Sequence, residues 1–253
     1  MATIGIFDSG SGGLSVYREL VKVLPKERFV YYADNAHCPY GEKTAEYIQQ
    51  RARFITDFLL SQGADIIVVA CNTATAAAIA TLRADYPNVP FVGMEPAVKP
   101  AALGTKTGVI GVLATAGTLK GSKYLKTRGM YEDNVRIVEH VGQGFVELVE
   151  SGILDGPQAE ATVRASLQPL LEAGADIIVL GCTHYPFLRP VIERLAGPGV
   201  QVIDPAPAVA RQTLRLLQER GVQLGTGAFS VQLFASGDPA AMERIFALAQ
   251  IMR

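Results

Sequence analysis

The sequence predicts an α/β fold of two similar facing lobes, each with a mainly parallel sheet flanked by helices and related to the other by internal duplication. Three observations carry that expectation. Two stretches nearly repeat, Gly63-Ala-Asp-Ile-Ile-Val-Val-Ala-Cys71-Asn-Thr-Ala and Gly174-Ala-Asp-Ile-Ile-Val-Leu-Gly-Cys182-Thr-His-Tyr. Each places a β-branched apolar run between a turn glycine and a cysteine, the pattern of a strand buried on both faces in a parallel sheet. The elements around them recur as well, offset by roughly 106 to 111 positions, so the chain reads as two successive β-α-β-α-β-α-β halves.

The first half opens with a strand over 3–7 that runs into Asp8-Ser9-Gly10-Ser11-Gly12-Gly13, a glycine-rich turn before a helix. Free amides at such a turn attract an anionic group. The spacing fits neither a dinucleotide fingerprint nor a Walker A loop, which makes nucleotide binding the weaker reading, and Asp8 taken alone could be a simple helix cap. A second strand over 28–33 leads to a polar loop containing Cys38 and the tight turn Pro39-Tyr40-Gly41, whose tyrosine hydroxyl and a backbone amide could face a site. Cys38 has no counterpart in the second half and is read, with His37, as a bystander. An amphipathic helix over 44–62, with Ile48, Ala52, Ile55 and Leu59 on one face, precedes the strand ending at Cys71. Asn72 and Thr73 then suit the start of an alanine-rich helix, and 90–97 closes the half.

The second half repeats the plan with strands over 107–113 and 135–140, a helix over 158–173, the strand ending at Cys182, and a closing segment over 200–206. Ala114-Thr115-Ala116-Gly117-Thr118 stands in place of the Asp-Ser-Gly loop and supplies hydroxyls without the carboxylate. The segment from Gly142 to Gly152 replaces the Pro-Tyr-Gly loop and puts Glu147 and Glu150 on one side of a helical turn, where one or both could be solvated. His184 follows Cys182 by two positions. Beyond 207 the repeat stops: 209–221 reads as a helix, 229–235 as an edge strand, and a last helix after Asp238-Pro239 carries Met242, Ile245, Phe246 and Ala249. The tail is expected on the first lobe, giving lobes of 1–97 plus 207–253 and of 98–206, with the site in the cleft between them.

With 253 residues the chain can bury a core in each lobe. Its 23 basic and 24 acidic residues create no field for nucleic acid or an anionic membrane, and the run Lys120, Lys123, Lys126, Arg128 reads as a solvated helix face. There is no leader-like N-terminus and no membrane-length apolar run, so a cytoplasmic protein is expected. Three widely spaced cysteines, Cys38, Cys71 and Cys182, point to reduced thiols rather than a disulfide framework.

In open α/β sheets ligands bind beyond the carboxyl ends of the strands, where both repeated cysteines fall. A thiol at a helix N-terminus gains reactivity from the dipole and free amides; one such cysteine could be merely structural, but two in repeated context ask for a symmetric chemistry. Inverting a stereocentre by proton transfer needs a base on one face of a carbon and an acid on the other. Donors on Ser9, Asn72, Thr73, Thr115, Thr118 and Thr183 could hold a substrate carboxylate and offset growing enolate charge, and His184 is placed as an acid/base partner. Nothing marks a pyridoxal-phosphate enzyme. Two other classes stay open: a redox switch closing a Cys71–Cys182 disulfide, and a metal module using Cys71, Cys182, His184 and Asp8, which the lack of short ligand spacing disfavours.

Asp8-Ser9-Gly10 with Gly12-Gly13, Pro39-Tyr40-Gly41, Cys71-Asn72-Thr73, Glu95-Pro96, Leu148-Val149-Glu150 and Gly181-Cys182-Thr183-His184-Tyr185-Pro186 together resemble the cofactor-independent bacterial glutamate racemases of the aspartate/glutamate racemase superfamily. The resemblance runs from position 8 to 186, and the segment 234–238 is similar to the family's tail. It implies interconversion of L- and D-glutamate for peptidoglycan synthesis, no cofactor and no metal, and a homodimer. It implies Cys71 as the base toward D-glutamate, Cys182 as the base toward L-glutamate, Asp8 and His184 assisting their respective thiols, and Glu150 near the second. The substrate would be held by Asp8, Ser9, Pro39, Tyr40, Gly41, Asn72, Thr73, Thr115, Thr118, Thr183, His184 and the two cysteines. This chain departs from the family at Val141-Gly142-Gln143-Gly144, where Cys-Pro is frequent, and at Glu147, where proline is common. It also lacks the N-terminal extension found in members that respond to a cell-wall precursor, so no such activation is expected. An aspartate or hydantoin racemase is the nearest alternative.

Overall fold

The computed structural model describes residues 1–251. The first sheet is built from β1 (Thr3–Asp8), β2 (Arg28–Ala33), β3 (Ile66–Val69) and β4 (Phe91–Gly93), with helices α1 (Leu14–Val23), α2 (Ala45–Ser61) and α3 (Asn72–Asp85) in the connections. Helix α4 (Val98–Gly104) leads into the second sheet, which uses β5 (Val109–Ala114), β6 (Arg136–Val141), β7 (Ile177–Gly181) and β8 (Gln201–Ile203). Helices α5 (Ala116–Leu119), α6 (Ser122–Gly129), α7 (Phe145–Glu150), α8 (Pro157–Glu172) and α9 (Arg189–Ala196) lie between those strands. The chain ends with α10 (Ala206–Glu219), β9 (Ser230–Ala235) and α11 (Ala240–Ile251).

The strand orders are β4-β3-β1-β2-β9 and β6-β5-β7-β8. Read from the opposite edge the second is β8-β7-β5-β6, so the two sheets share one topology and β9 is an addition to the first. Every pairing is parallel. The expected edge strand over 229–235 is thus at an edge, beside β2, and the tail returns to the first lobe with α10 and α11 packed on α1.

This topology follows from burial. Ile66–Val69 and Ile177–Gly181 are buried along their whole length because helices cover both sheet faces. Ile48, Ala52, Ile55 and Leu59 form the buried stripe of α2, and Thr44 caps that helix by accepting from Tyr47 N–H. Each fully buried leucine or isoleucine of this kind contributes about 1.5–3 kcal/mol relative to exposure. One apolar cluster runs from α1, α10 and α11 across to α7 and α8, joining the lobes, while two smaller clusters cover the outer sheet faces.

The order of the strands sets the position of the site. Chain direction reverses its walk across the sheet between β1 and β3, and again between β5 and β7. Those are the two places where loops diverge and leave a crevice at the strand carboxyl ends. Asp8, Ser9 and Cys71 stand at the first, Thr115 and Cys182 at the second. Among the described residues no helix is long and apolar enough to cross a membrane.

Candidate active site

The two crevices face each other and share one cavity, lined by Ser9, Pro39, Tyr40, Gly41, Cys71, Asn72, Thr73, Thr115, Val146, Cys182, Thr183 and His184. It holds about 300 Å³ of empty space, part of it continuous with solvent. Both cysteines are free thiols, 5% and 7% exposed. Hydrogen bonds across the lobes converge here. Thr183 Oγ1 donates to Asp8 Oδ2 (3.2 Å), Ser15 Oγ donates to Thr183 O (2.9 Å), and the Thr73 and Thr115 hydroxyls meet at 2.9 Å.

Cys71 itself is the cap of α3, its Sγ accepting from Ala74 N–H at 3.4 Å and lying 3.7 Å from Ser9 Oγ. Asn72 and Thr73, expected at the start of this helix, are its first two residues. Burial pushes the Cys71 thiol well above its ordinary range and the Asp8 charge adds to this, outweighing the helical amide and Ser9. A cap position alone therefore does not make this thiol acidic at rest. Burial likewise raises Asp8, against the pull of His184 and the Gly13 N–H that its Oδ2 accepts at 2.7 Å.

The second thiol has a different partner. Cys182 Sγ lies 3.8 Å from His184 Nδ1, and His184 Nε2 lies 2.7 Å from Glu150 Oε1. Burial disfavours charge on the imidazole, but its bonds to Cys182 and Glu150 win and hold it well above the ordinary histidine value. Burial would raise Glu150 too, and the hydrogen bond with His184 overrides it and lowers the carboxyl. Glu150 is further fixed by Ser11, whose N–H and Oγ donate to it at 2.7 and 3.0 Å. One thiol thus faces a carboxyl and the other an imidazolium backed by a carboxylate.

Asn72 is 3% exposed, and neither its amide oxygen nor its nitrogen has a hydrogen-bond partner among the described residues; Asp8 Oδ1 is in the same condition. Buried polar groups are nearly always satisfied, so an unpartnered amide on a cavity wall marks a place for a polar ligand. A carboxylate could accept from its nitrogen and an ammonium donate to its oxygen.

Of the sequence-stated candidates, Asp8, Glu150 and Thr118 do not line the cavity: the first two stand behind Cys71 and His184, and Thr118 binds the Thr73 and Thr115 hydroxyls. Tyr40 lines the wall, but its hydroxyl turns away to donate to Asp34, which also takes two bonds from Arg51 (2.9 and 2.7 Å). The expectation that this hydroxyl faces the site is corrected: a buried aspartate needs its donors, and the tyrosine supplies one. His37 pairs with Tyr47 and takes no part. Cys38 is placed differently from the bystander expected, with its Sγ grouped with Glu150 and His184. Sequence reasoning also missed Val146, a cavity wall for which the family motif gave no signal.

The sequence matches the family described as Asp/Glu/hydantoin racemase over residues 4–213. The glutamate racemase of Pseudomonas aeruginosa is 50% identical over 244 residues, 96% of this chain and 92% of that protein. The crystal structure of Escherichia coli glutamate racemase in complex with L-glutamate and the activator UDP-MurNAc-Ala superposes with a TM-score of 0.87 at 32% identity, covering 99% of this chain and 94% of the other. That of Francisella tularensis glutamate racemase with D-glutamate gives 0.84 at 27% identity, covering 98% and 93%.

Proposed function

The chain belongs to the glutamate racemases of the Asp/Glu/hydantoin racemase family, and from that premise we propose that it interconverts L- and D-glutamate by cofactor-independent proton transfer between two cysteines, supplying D-glutamate for peptidoglycan. One observation supports this above the rest: thiols ending equivalent strands of two like sheets line one cavity from opposite lobes. In one direction the thiolate of Cys182 removes the Cα proton of L-glutamate while the Cys71 thiol protonates the opposite face. In the other, Cys71 acts on D-glutamate and Cys182 returns the proton. Either way one S–H forms as the other breaks, and no net proton is lost.

The two thiols differ in how they handle charge. His184, kept protonated by Glu150, attracts an anionic Cys182 sulfur across 3.8 Å. Asp8 serves Cys71 as a proton relay, since a carboxyl whose affinity for protons is raised by burial can take one as the thiolate forms. Asn72, Thr73, Thr115, Thr183 and Ser9 hold the substrate's carboxylates and ammonium, with Thr118 orienting Thr73 and Thr115. The Pro39-Tyr40-Gly41 turn closes the wall, so water is kept from the carbanion-like transition state. The lobes are taken as 1–97 with 207–253 and 98–206, and the working form as a cytoplasmic homodimer. The test is to incubate metal-free protein with each glutamate enantiomer and follow optical rotation. Decay to zero from both sides supports the proposal; decay with aspartate or a hydantoin alone moves it to another racemase of the superfamily, and inertness toward all rejects it.

A further inference from the structure

We propose that Cys38, Glu150 and His184 form a binding site for a thiophilic divalent cation of the zinc group, and that occupying it switches the racemase off. The second half rests on the function proposed above; the first does not. The Cys38 sulfur, a Glu150 carboxylate oxygen and a His184 ring nitrogen all lie within 4.8 Å of one another. A separate observation shows that they converge. A side-chain carbon built on Gly10 would stand 2.5 Å from Glu150 Oε1, 3.3 Å from Cys38 Sγ and 3.4 Å from His184 Nε2. Three donors of three chemical kinds therefore crowd against the backbone at position 10, where any side chain larger than glycine's would clash with them.

Zinc takes sulfur at about 2.3 Å, imidazole nitrogen at about 2.0–2.1 Å and carboxylate oxygen at about 2.0–2.2 Å. Donors at those lengths around one tetrahedral ion stand about 3.4–3.6 Å apart, so three atoms already within 4.8 Å of one another reach a shared ion by side-chain shifts of about 1 Å. Thiolate with imidazole and one carboxylate suits Zn²⁺ or Cd²⁺, whereas Mg²⁺ and Ca²⁺ want six or more oxygens. A solvent-open pocket lined by Cys38, Glu150, Asp238 and Arg244 gives the ion a route. On binding, Cys38 loses its thiol proton and His184 its Nε2 proton, both to solvent. Two protons leave as one dication enters, so the net charge of the buried group is unchanged.

The ion displaces the hydrogen bond between Glu150 and His184. The imidazole becomes a neutral ligand and no longer faces Cys182 as a cation, which removes the support for that thiolate. Cys38 lies outside the cavity wall and takes no part in the proton transfer, so it separates metal binding from catalysis.

The test uses the whole chain as wild type, Cys38→Ala and Cys38→Ser, titrated with Cd²⁺ and Zn²⁺. Binding is read by equilibrium dialysis and by the ultraviolet thiolate-to-cadmium charge-transfer band, and racemisation is read separately. Wild type should take up one ion per chain, lose activity in step, and recover it with a chelator. Both variants should racemise like wild type without metal and need at least about 100-fold more cation for occupation and inhibition, a loss at least as large as that for removing an outer-shell partner. Mg²⁺ and Ca²⁺ should do nothing at the same concentrations. Equal binding in the variants would place the ion on Cys71 or Cys182 and overturn the proposal, as would failure of wild type to bind. If metal-free wild type were inert toward glutamate, the proposed function would fail while dialysis and absorbance still decided the site.

Discussion

Replacing Gly12 by alanine puts a methyl carbon where the imidazole of His184 now lies. A carbon built there falls within 2.7 Å of three ring atoms, Nδ1, Cγ and Cε1. Ordinary contact begins at 3.4 Å, so the ring must retreat by about 1 Å. The Gly12 backbone is not in the left-handed region, and alanine therefore adds no dihedral strain of its own. The ring cannot retreat freely: Glu150 holds Nε2 at 2.7 Å, and the residue is 1% exposed. Misplacing a catalytic group by about 1 Å costs on the order of 100-fold in rate, or about 2.7 kcal/mol. We expect kcat/KM of Gly12→Ala to fall by about 100-fold. Because the enantiomers have equal free energy, the loss must be equal from L- and D-glutamate. Circular dichroism gives both rates, and thermal unfolding checks that the variant is folded. A folded variant within about threefold of wild type would refute the placement of His184 in the reaction.

Cys71→Ser and Cys182→Ser should each lower racemisation by about 10²–10⁴-fold, the share of a positioned acid or base; near wild-type turnover by either would end the two-base scheme. Glu150→Gln removes the charge that keeps His184 protonated, so the alkaline limb of the rate profile should move to lower pH, with a rate loss of about 100-fold at neutral pH. The same pair acts on stability. His184, raised above 6.5, contributes fully below that value and loses its share as pH rises through the folded value; Glu150, lowered from 4.5, contributes fully above that value and loses it as pH falls. Urea unfolding should therefore show the largest gap between wild type and Glu150→Gln from about pH 4.5 to 6.5. Arg51→Met leaves the buried Asp34 carboxylate with Tyr40 and with the His37 ring at 4.0 Å but without its guanidinium, and should cost about 3 kcal/mol by denaturant unfolding; a loss below about 1 kcal/mol would mean Arg51 does not hold this turn.

The duplicated strands were legible because a parallel sheet buried on both faces leaves a continuous apolar run, and the cysteines end those runs. The strands expected over 3–7 and 107–113 formed for the same reason, as β1 and β5, and the matching strand orders followed from matching connections. What escaped were groups set by contacts across the lobes. Ser11 reaches Glu150 over 139 positions, and no local pattern in a glycine-rich turn shows that Gly10 and Gly12 serve to let Glu150 and His184 approach. Cys38 looked idle because it has no copy in the second half, yet the fold sets it beside Glu150 and His184 of that half. Tyr40 looked available because a loop tyrosine usually is, and the demand of buried Asp34 for donors decided otherwise.

The most direct test of two-thiol transfer is the first turnover in deuterated water, starting from protiated L-glutamate and then from protiated D-glutamate. Two bases on opposite faces predict deuterium at Cα in the product enantiomer while the remaining substrate stays protiated, in both directions. Deuterium appearing in the unreacted enantiomer as fast as in the product would mean one base serving both faces, and the assignment of Cys71 and Cys182 to opposite faces would be wrong.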